Sequence, residues 1–273
     1  MMALSANEAY RELLRDIELG EKCSPRGRRT IERLSHQTKL WMLNPVVTIP
    51  ERKLNYRFML SEASWILSGS NQLNFNPTIN KIWAPYSDDG LTLSGAYGPP
   101  VSSQLRYVID CLRDDPSSRQ AVLTIWRQNP RASKDIPCTI ALQFLIRGSH
   151  IHCVATMRSS DAWLGWPYDI FAFTMITAFI GIAWNDTVLP EFKTELGTLT
   201  LTAGSQHIYE ENWHLANKVC HSENIGDNLT ISIYDFNTPD QLRNDLCCAI
   251  DGPMTSIHSQ FFKDLYARTH PNK

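Results

Sequence analysis

Three residues between positions 135 and 169 carry side chains that can act together in covalent chemistry. Cys138 supplies a thiol, Arg158 supplies a guanidinium, and Asp169 supplies a carboxylate. A thiolate is a strong nucleophile, and a nearby positive charge favours its formation. A carboxylate accepts hydrogen bonds from the donors of a bound ligand. We therefore take this stretch as the candidate active site.

The local pattern predicts a β-hairpin that brings the thiol and the guanidinium together. Apolar residues spaced by two predict a half-buried strand: Ile140, Leu142, Phe144 and Ile146. Residues 147–149 supply a turn, and residues 151–157 form the returning strand. Cys138 would then begin one strand, and Arg158 would end its partner. We expect the adjacent guanidinium to make this thiol easier to ionise.

A carboxylate also lies within an apolar helical pattern. Residues 56–70 predict a helix with a broad apolar face, and Glu62 is in the middle of it. The commoner arrangement for one such carboxylate is at the edge of the face, where it reaches water. The alternative is a partly desolvated carboxylate with a raised pKa, which suits proton transfer through ordered water.

A basic segment precedes this helix. Residues 21–37 contain four arginines: Arg26, Arg28, Arg29 and Arg33. A solvated loop and a phosphate-binding loop are equally compatible with these residues alone. The second interpretation has a physical basis, because a guanidinium matches two phosphate oxygens at once.

The composition indicates a globular chain with a small charged ligand. With 273 residues and 43% hydrophobic content, the chain can bury a full core, and we expect a single domain over residues 1–273. A net charge of −2 lacks the basic balance of a dedicated DNA-binding protein, so we expect no nucleic acid partner. Seven cysteines without a framework spacing, and an amphipathic N-terminal pattern, predict free thiols and a cytoplasmic location.

Hydrophobic periodicity predicts the remaining elements. Helices are expected at residues 7–19, 104–112, 170–184 and 214–218, and strands at residues 121–126, 196–203 and 229–236. Residues 82–98 look loop-rich, and residues 204–209 look like a loop that follows a strand. The segment 170–184 is shorter than a bilayer span, so we predict a buried helix and no membrane partner.

Several short motifs occur in an order that resembles the thymidylate synthase family. They run from about Arg26 to about Tyr209, and they are Pro137-Cys138, Gln143-Phe144, Arg158-Ser159-x-Asp161, Leu164-Gly165-x-Pro167 and Gly204-x-x-His207-x-Tyr209. The chain also resembles an offshoot of that family, the cytidylate hydroxymethylases. The resemblance implies an α+β fold in which helices cover one face of a large twisted sheet, mixed or antiparallel. The other face would be used for dimerisation.

The resemblance also implies roles for individual residues. It implies three catalytic residues: Cys138, Glu62 and Tyr97. It implies that a pyrimidine nucleoside monophosphate is bound by Arg26, Arg119, Arg158, Ser159, Asp161, Asp169, His207 and Tyr209. It implies that the cosubstrate 5,10-methylenetetrahydrofolate is bound by Trp83, Asp161, Leu164, Gly165 and Tyr168. Without the resemblance, Trp83 and Tyr97 could equally be core aromatics, and His207 and Tyr209 would be taken as structural.

A homodimer is implied as well, with Arg119 reaching the phosphate bound by the partner subunit. The family has two adjacent arginines here, whereas this chain has Gln120 at the second position. A neutral amide replaces one charge-assisted contact, so we expect weaker phosphate binding. No metal is expected, because His150 and His152 alternate on one strand without further ligands at regular spacing.

Two departures from the family bear on the reaction. Thymidylate synthases have an asparagine at the position of Asp169, and an amide offers uracil both a donor and an acceptor. A carboxylate offers only acceptors, which suit the 4-amino group of cytosine, and N3 once it carries a proton. The chain also ends in ARTHPNK, where the family has an apolar tail that shields the intermediate from water. Both departures favour 5-hydroxymethylation of CMP or dCMP through a covalent bond between Cys138 and C6.

Two other functions stay open. The first is methylation, either of dUMP by a thymidylate synthase or of a cytidylate at C5. The second is a non-catalytic nucleotide- or RNA-binding relative, against which the joint presence of Cys138, Glu62 and Arg158 argues. The sequence does not distinguish ribose from deoxyribose.

Overall fold

A six-stranded mixed sheet forms the centre of the computed structural model, which describes residues 4–129 and 132–271. The strands are β1 Glu21–Cys23, β2 Thr30–Trp41, β3 Val122–Thr124, β4 Thr139–Arg147, β5 His150–Asp161 and β6 Glu195–Tyr209. Their order in the sheet is β1-β2-β6-β5-β4-β3. The pair β5 and β6 is parallel, and the other neighbouring pairs are antiparallel. The expected mixed sheet is therefore confirmed.

Eight α-helices in the described ranges cover the sheet. They are α1 Ala6–Glu18, α2 Tyr56–Leu67, α3 Pro77–Trp83, α4 Gly98–Asp114, α5 Trp166–Asn185, α6 Trp213–Cys220, α7 Pro239–Asp251 and α8 Gln260–Thr269. Local chemistry sets several of their first residues. Ser5 and Glu8 form a reciprocal capping box on α1, and the Asn55 side chain caps α2 by accepting from the Phe58 N–H at 3.0 Å.

The core lies between the helices and the inner face of the sheet. Along β5, Ile151, Cys153, Ala155 and Met157 are buried, whereas the residues between them are partly or fully exposed. Helix α5 packs on this face, and nearly all of its residues are buried. Helix α5 is long and apolar enough to cross a bilayer. Because most of it is buried inside the protein, it is a core helix, as the sequence predicted. Each fully buried Phe of α5 contributes about 1.5–3 kcal/mol by leaving water.

One edge of the sheet gathers the candidate residues. Because β5 and β6 are parallel, their carboxyl ends lie side by side, with Asp161 opposite His207. The antiparallel neighbours β2 and β4 begin at the same edge, so Thr30 lies opposite Tyr209 and Thr139 opposite Met157. The predicted hairpin of β4 and β5 is confirmed.

Two sequence-based expectations about strands are wrong. Residues 204–209 continue β6 and do not form a loop, because they pair with both β2 and β5. Gly204 permits this close packing, since a Cβ there would lie 2.9 Å from the Arg158 carbonyl oxygen. Residues 229–236 form no strand, because the segment pairs with no strand of the sheet. Its apolar residues Leu229, Ile231 and Ile233 are nevertheless buried in alternation.

Other boundaries differ by shorter lengths. Helix α4 begins at Gly98, since Pro99 and Pro100 are favourable in a first helical turn, and β3 is shorter than residues 121–126. Residues 82–98 include the end of α3 and a 3-10 turn at Ala84–Tyr86.

The last two helices brace α2, which carries Glu62. Arg57 on α2 forms an ion pair with Asp251, and the Arg243 guanidinium donates to the Leu67 carbonyl at 3.1 Å. Asp245 of α7 is fully buried and accepts from the backbone N–H groups of His258 and Ser259, which connects α7 to α8. Helices α7 and α8 thus support the candidate site from behind.

Candidate active site

The thiol and the guanidinium meet where β4 begins. The Arg158 N–H donates to the Cys138 carbonyl at 2.9 Å. The Arg158 side chain donates from Nε to the Pro137 carbonyl at 3.0 Å and from Nη2 to the Ile136 carbonyl at 2.9 Å. The guanidinium is therefore fixed beside the thiol before any ligand arrives, and the predicted adjacency is confirmed.

The expected ease of ionisation of Cys138 is wrong for the cleft without a ligand. Burial raises the pKa of the Cys138 thiol, and although Arg158 lowers it, the carboxylates Asp169, Asp135 and Asp161 raise it again. The net shift is upward. One fixed guanidinium does not outweigh desolvation and three acidic neighbours.

Glu62 faces the same space from the middle of α2. Burial raises the pKa of Glu62 to about 8, and the negative charge of Asp169 adds to the rise. The Trp83 indole opposes it slightly, although its N–H makes no regular hydrogen bond within the described residues. Glu62 keeps some exposed surface despite this strong desolvation, which is the signature of a group inside a cleft. Of the two sequence interpretations, the partly desolvated carboxylate is therefore the one observed.

Tyr97 connects the start of α4 to the residue after the thiol. Its hydroxyl accepts from the Thr139 backbone N–H at 3.3 Å and from the Thr139 hydroxyl at 3.0 Å. Burial raises the pKa of Tyr97 well above its ordinary value, and Asp169 and Cys138 add to this. Tyr97 is therefore a neutral phenol, half-buried beside the candidate nucleophile.

Asp169 lies in the first turn of α5, and its carboxylate packs against Gly165. A Cβ at position 165 would lie 3.2 Å from Asp169 Oδ2, so a larger residue would press on the carboxylate. Burial raises the pKa of Asp169 to about 7, and Asp161 adds to the rise. The described residues donate no hydrogen bond to the Asp169 carboxylate, so its oxygens are available to a ligand.

Asp161 shapes the turn that leads into α5. Its Oδ1 accepts from the backbone N–H groups of Trp163 at 2.8 Å and Leu164 at 2.9 Å. Its other oxygen, Oδ2, is buried without a partner in the described ranges. Burial raises the pKa of Asp161, and these N–H groups together with His207 oppose the rise. The turn leaves Leu164 exposed.

The aromatic candidates Trp83 and Tyr168 lie on the α2 side of the cleft. Both pack around Phe58, with ring centroids 6.4 Å and 4.9 Å from its ring. Each is partly exposed, and the Trp83 indole N–H is buried and unpartnered among the described residues. The unpartnered atoms Trp83 Nε1 and Asp161 Oδ2 fit a planar ligand that carries both acceptors and donors, as a folate does.

Ser159, His207 and Tyr209 lie together at the carboxyl ends of β5 and β6. Ser159 Oγ is 3.5 Å from His207 Nδ1, and the His207 and Tyr209 rings meet edge to face at 5.2 Å. All three are partly exposed. They form a polar shelf next to Asp161 that suits the hydroxyl groups of a sugar.

The other two candidate arginines are placed differently from Arg158. Arg26 is exposed on a 3-10 turn with a φ of 53°, and no described acidic residue pairs with it. Its neighbours are paired: Arg28 lies 2.5 Å from Glu211, and Arg29 lies 2.7 Å from Glu210. Arg26 is therefore available to an incoming anion.

Arg119 is not brought to the thiol within one chain. It is exposed, and its carbonyl accepts from Gln143 Nε2 at 2.8 Å. Gln143 is five residues from Cys138, which corresponds to about 17 Å along a strand. The replacement Gln120 is exposed beside it.

Two positioning residues were missed from the sequence. Arg52 is buried, donates to the Trp163 carbonyl at 2.6 Å, and stacks on the Trp163 ring at 4.4 Å. Asp135 accepts from the Gly95 N–H at 2.7 Å and so ties the Tyr97 segment to the Cys138 loop. No local sequence signal singles out Arg52, and its burial and its contact with Trp163 show that it holds the turn that precedes Asp169.

Two further features lie outside this cleft. His152 Nδ1 is bonded to Thr198, and no group of three potential metal ligands occurs in residues 4–129 or 132–271. A groove of about 290 Å³ lies between α1 and α6, lined mainly by apolar residues such as Ile17, Ile208 and Trp213. It contains no nucleophile, so the chemistry belongs to the Cys138 cleft.

Comparison with known proteins identifies the family of the chain. A profile of the thymidylate synthase family matches residues 8–243, and the chain therefore belongs to that family. A thymidylate synthase from Buchnera aphidicola subsp. Baizongia pistaciae (strain Bp) is 25% identical over 186 residues, which cover 64% of this chain and 67% of that protein. The family transfers one carbon to a pyrimidine nucleotide and uses methylenetetrahydrofolate as its cosubstrate.

Proposed function

We propose that the chain transfers a one-carbon unit to C5 of a cytosine nucleotide, CMP or dCMP, and releases the 5-hydroxymethyl product. The observation that carries the proposal is the Asp169 carboxylate, which lies in the first turn of α5 near Cys138 and accepts no hydrogen bond from the described residues. Methylenetetrahydrofolate, when bound, supplies the one-carbon unit. The residues of the chain bind, orient and move protons.

Cys138 is the proposed nucleophile. C5 of a pyrimidine is unreactive until a nucleophile adds to C6, and addition of the Cys138 sulfur makes C5 electron-rich. Arg158 stays beside the sulfur and favours the thiolate during this addition. Because the acidic neighbours of the thiol raise its pKa, neutralising them through ligand contacts would promote the attack.

The phosphate would be held by Arg158, Arg26 and Ser159. Arg158 is already oriented by two carbonyl groups, while Arg26 forms no ion pair with the residues that the structure describes. Binding energy gained at the phosphate would position C6 against the sulfur. His207 and Tyr209 would contact the sugar hydroxyl groups.

We propose that Asp169 recognises the pyrimidine base. An ionised carboxylate accepts from the 4-amino group of cytosine, and it pairs with N3 when one proton lies between them. It repels O4 of uracil. The raised pKa of about 7 means that this proton is present in a large fraction of molecules near neutral pH.

Glu62 is the proposed proton-transfer group. With a pKa of about 8, it holds a proton at neutral pH and can still release it, which suits both steps of acid–base catalysis. Tyr97, a neutral phenol tied to Thr139, can donate to the same region. The partial exposure of Glu62 gives water access to the reacting carbon, which supports a hydroxymethyl product over a methyl product.

A homodimer and a cytoplasmic location belong to the same proposal. In one chain the Arg119 carbonyl is bonded to Gln143, which is about 17 Å along β4 from Cys138, and the exposed Arg119 side chain suits a site in a second copy. The outer sheet face is polar and only partly covered within one chain, with Thr198, Thr200 and Thr202 along β6. The seven unpaired cysteines support a reducing compartment.

A substrate panel tests the proposed function. The purified enzyme is incubated with methylenetetrahydrofolate and C5-tritiated CMP, dCMP or dUMP, and tritium release and product mass are measured. We expect release from a cytosine nucleotide and a product heavier by one hydroxymethyl group. Release from dUMP alone, with dihydrofolate formed, would instead establish thymidylate synthesis. A product heavier by one methyl group would establish a cytidylate methyltransferase.

A further inference from the structure

Two contacts hold the Tyr209 ring at the end of β6. Tyr209 is the last residue of the strand, and the chain turns after it at Glu210–Asn212. The Arg28 guanidinium carbon lies 3.6 Å from the centroid of the Tyr209 ring, so Arg28 covers one face of that ring. The His207 ring meets the Tyr209 ring edge to face at 5.2 Å. The orientation of Tyr209 therefore depends on one residue of its own strand and on Arg28, which is distant in sequence.

Arg28 is itself held by the turn that follows β6. Its Nη2 donates to Glu211 Oε1 at 2.5 Å, and the neighbouring Arg29 carbonyl accepts from the Glu210 N–H at 3.0 Å. The backbone bond places the segment before β2 against this turn, and the ion pair holds the guanidinium over the ring. A guanidinium suits this position because its flat face stacks on an aromatic ring while the N–H groups at its edge still donate.

The positive charge of Arg28 also acts on the cleft. Burial raises the pKa of Asp161, and its backbone N–H partners, His207 and Arg28 oppose that rise. Asp161 lies opposite His207 in the sheet. Arg28 therefore lies at the rim of the candidate site, beside the polar shelf that was assigned to the sugar.

We propose that Arg28 is a positioning residue for sugar recognition: it holds the Tyr209 ring in the orientation in which the phenol hydroxyl reaches a hydroxyl group of the nucleotide sugar. This inference rests on the proposed function, in which Tyr209 contacts the sugar. Arg28 then strengthens the binding only of nucleotides that carry this hydroxyl group, and it does so only through Tyr209.

A direct contact with the phosphate is the alternative role for the Arg28 guanidinium. Arg28 already has an ionic partner in Glu211 and an aromatic ring against its face. Arg26, by contrast, forms no ion pair with the residues that the structure describes. An incoming anion meets Arg26 without displacing a carboxylate, so the geometry favours phosphate binding by Arg26 and support of the ring by Arg28.

Equilibrium binding of matched nucleotides to the Arg28→Ala variant tests the inference. Dissociation constants are measured by calorimetry without folate, for whichever of CMP and dCMP binds the wild-type protein more tightly and for 2′,3′-dideoxycytidine monophosphate. We expect the variant to bind the first nucleotide about 3- to 30-fold more weakly, as the loss of one stacked cation predicts. Binding of the dideoxynucleotide should change less than about twofold, which also shows that the variant is folded. Equal weakening for both nucleotides would overturn the inference.

Arg29→Ala is the matched control. Arg29 forms the same kind of exposed ion pair, with Glu210 at 2.7 Å, but it stacks on no aromatic ring among the described residues. We expect its loss to change the dissociation constants less than about twofold. Arg28→Lys should recover part of the binding, because the ammonium keeps the positive charge but lacks the flat face. Equal losses in Arg28→Ala and Arg29→Ala would assign the effect to the net charge of the segment and overturn the inference.

A double-mutant cycle tests whether Arg28 acts through Tyr209. Tyr209→Phe keeps the ring and removes its hydroxyl, so adding Arg28→Ala to this variant should weaken nucleotide binding no further. Additive losses would mean that Arg28 makes a contact of its own, and the inference would fail while the proposed function stands. If the wild-type protein binds no pyrimidine nucleotide, the proposed function fails instead, and the two failures are thereby distinguished.

Discussion

The acid side of the cleft, formed by Glu62, Asp161 and Asp169, differs from its arginine side, formed by Arg26, Arg119 and Arg158. The three carboxyl groups lie on α2, β5 and α5, and each has a raised pKa because it is desolvated in place. Of the arginines, Arg158 is fixed by carbonyl groups, Arg26 is exposed on a turn, and Arg119 precedes β3, where its carbonyl is bonded to Gln143 of β4. Within one chain, all three carboxyl groups of the acid side are therefore in place, whereas only Arg158 of the arginine side is fixed at the site.

The difference follows from what each side must do. Proton transfer and base pairing need fixed distances, and residues on packed helices and strands supply them. Phosphate binding tolerates adjustment, because guanidinium groups on long side chains can move toward an anion. We therefore expect changes on the acid side to alter turnover and base selection, and changes on the arginine side to alter KM.

The largest effect is expected at the thiol between the two sides. Cys138→Ala should lower kcat by at least about 10⁴, because no other group in the cleft can add to C6. Cys153→Ala is the matched control on the neighbouring strand. Burial raises the pKa of Cys153 to about 12, so that thiol is unreactive, and its loss should leave kcat within a few-fold. Full activity in Cys138→Ala would show that the nucleophile is assigned wrongly.

Glu62→Gln should produce the next largest effect, lowering kcat by about 10²–10⁴, because the amide cannot transfer a proton. Nucleotide binding should change little, since Glu62 is proposed to act on protons and not on the phosphate. Steady-state kinetics separate kcat from KM. A change confined to KM would mean that Glu62 takes no part in proton transfer.

The same variant has a stability signature. In the folded protein the pKa of Glu62 is raised from 4.5 to about 8, so the folded state holds a proton that the unfolded state has lost. Stability from this group is present below pH 4.5 and is lost as the pH rises toward 8. Denaturant unfolding should show that wild type loses stability relative to Glu62→Gln over this window, and parallel pH profiles would contradict the raised pKa.

Asp169→Asn should reverse the preference between cytosine and uracil nucleotides. The change in activity should be smaller than the change caused by Glu62→Gln. The amide restores a donor and an acceptor, and one two-pronged base contact is worth about 1–3 kcal/mol, or roughly 5- to 150-fold in the ratio of kcat/KM values. Competition between dCMP and dUMP in one reaction measures that ratio directly. An unchanged preference would mean that another residue reads the base.

The smallest effect is expected on the arginine side, at Arg119. Arg119→Ala should raise KM about tenfold by removing one charge-assisted phosphate contact. Mixing inactive Cys138→Ala chains with Arg119→Ala chains under subunit exchange should restore one intact site per mixed dimer, about a quarter of wild-type activity at low substrate. No recovery would mean that Arg119 serves its own chain or no site at all.

Local sequence patterns predicted the parts of this fold that depend on local structure. The period-two spacing of Ile140 to Ile146 and the turn at Gly148 fixed the hairpin, and the apolar run around Ile170 to Trp184 fixed the core helix. The extension of β6 was missed because Gly204, Ser205 and Gln206 resemble a turn. They are held in the sheet by β2 and β5, which are distant in sequence.

The candidate site shows the same limit. The adjacency of Cys138 and Arg158 followed from the hairpin, but the pKa of the thiol depends on Asp169, Asp135 and on burial, which no local pattern encodes. The role of Arg52 was missed for a similar reason, since its contact with Trp163 joins residues more than one hundred positions apart.

Covalent trapping with a 5-fluorinated nucleotide tests the central claim most directly. Fluorine at C5 cannot leave as a cation, so the reaction stops with the Cys138 sulfur bonded to C6 and the folate bonded to C5 through its one-carbon unit. We predict that the 5-fluorocytosine nucleotide, with methylenetetrahydrofolate, adds its mass to the intact protein and that the adduct maps to the peptide containing Cys138. An adduct on another cysteine, or one formed only with the 5-fluorouracil nucleotide, would contradict the account.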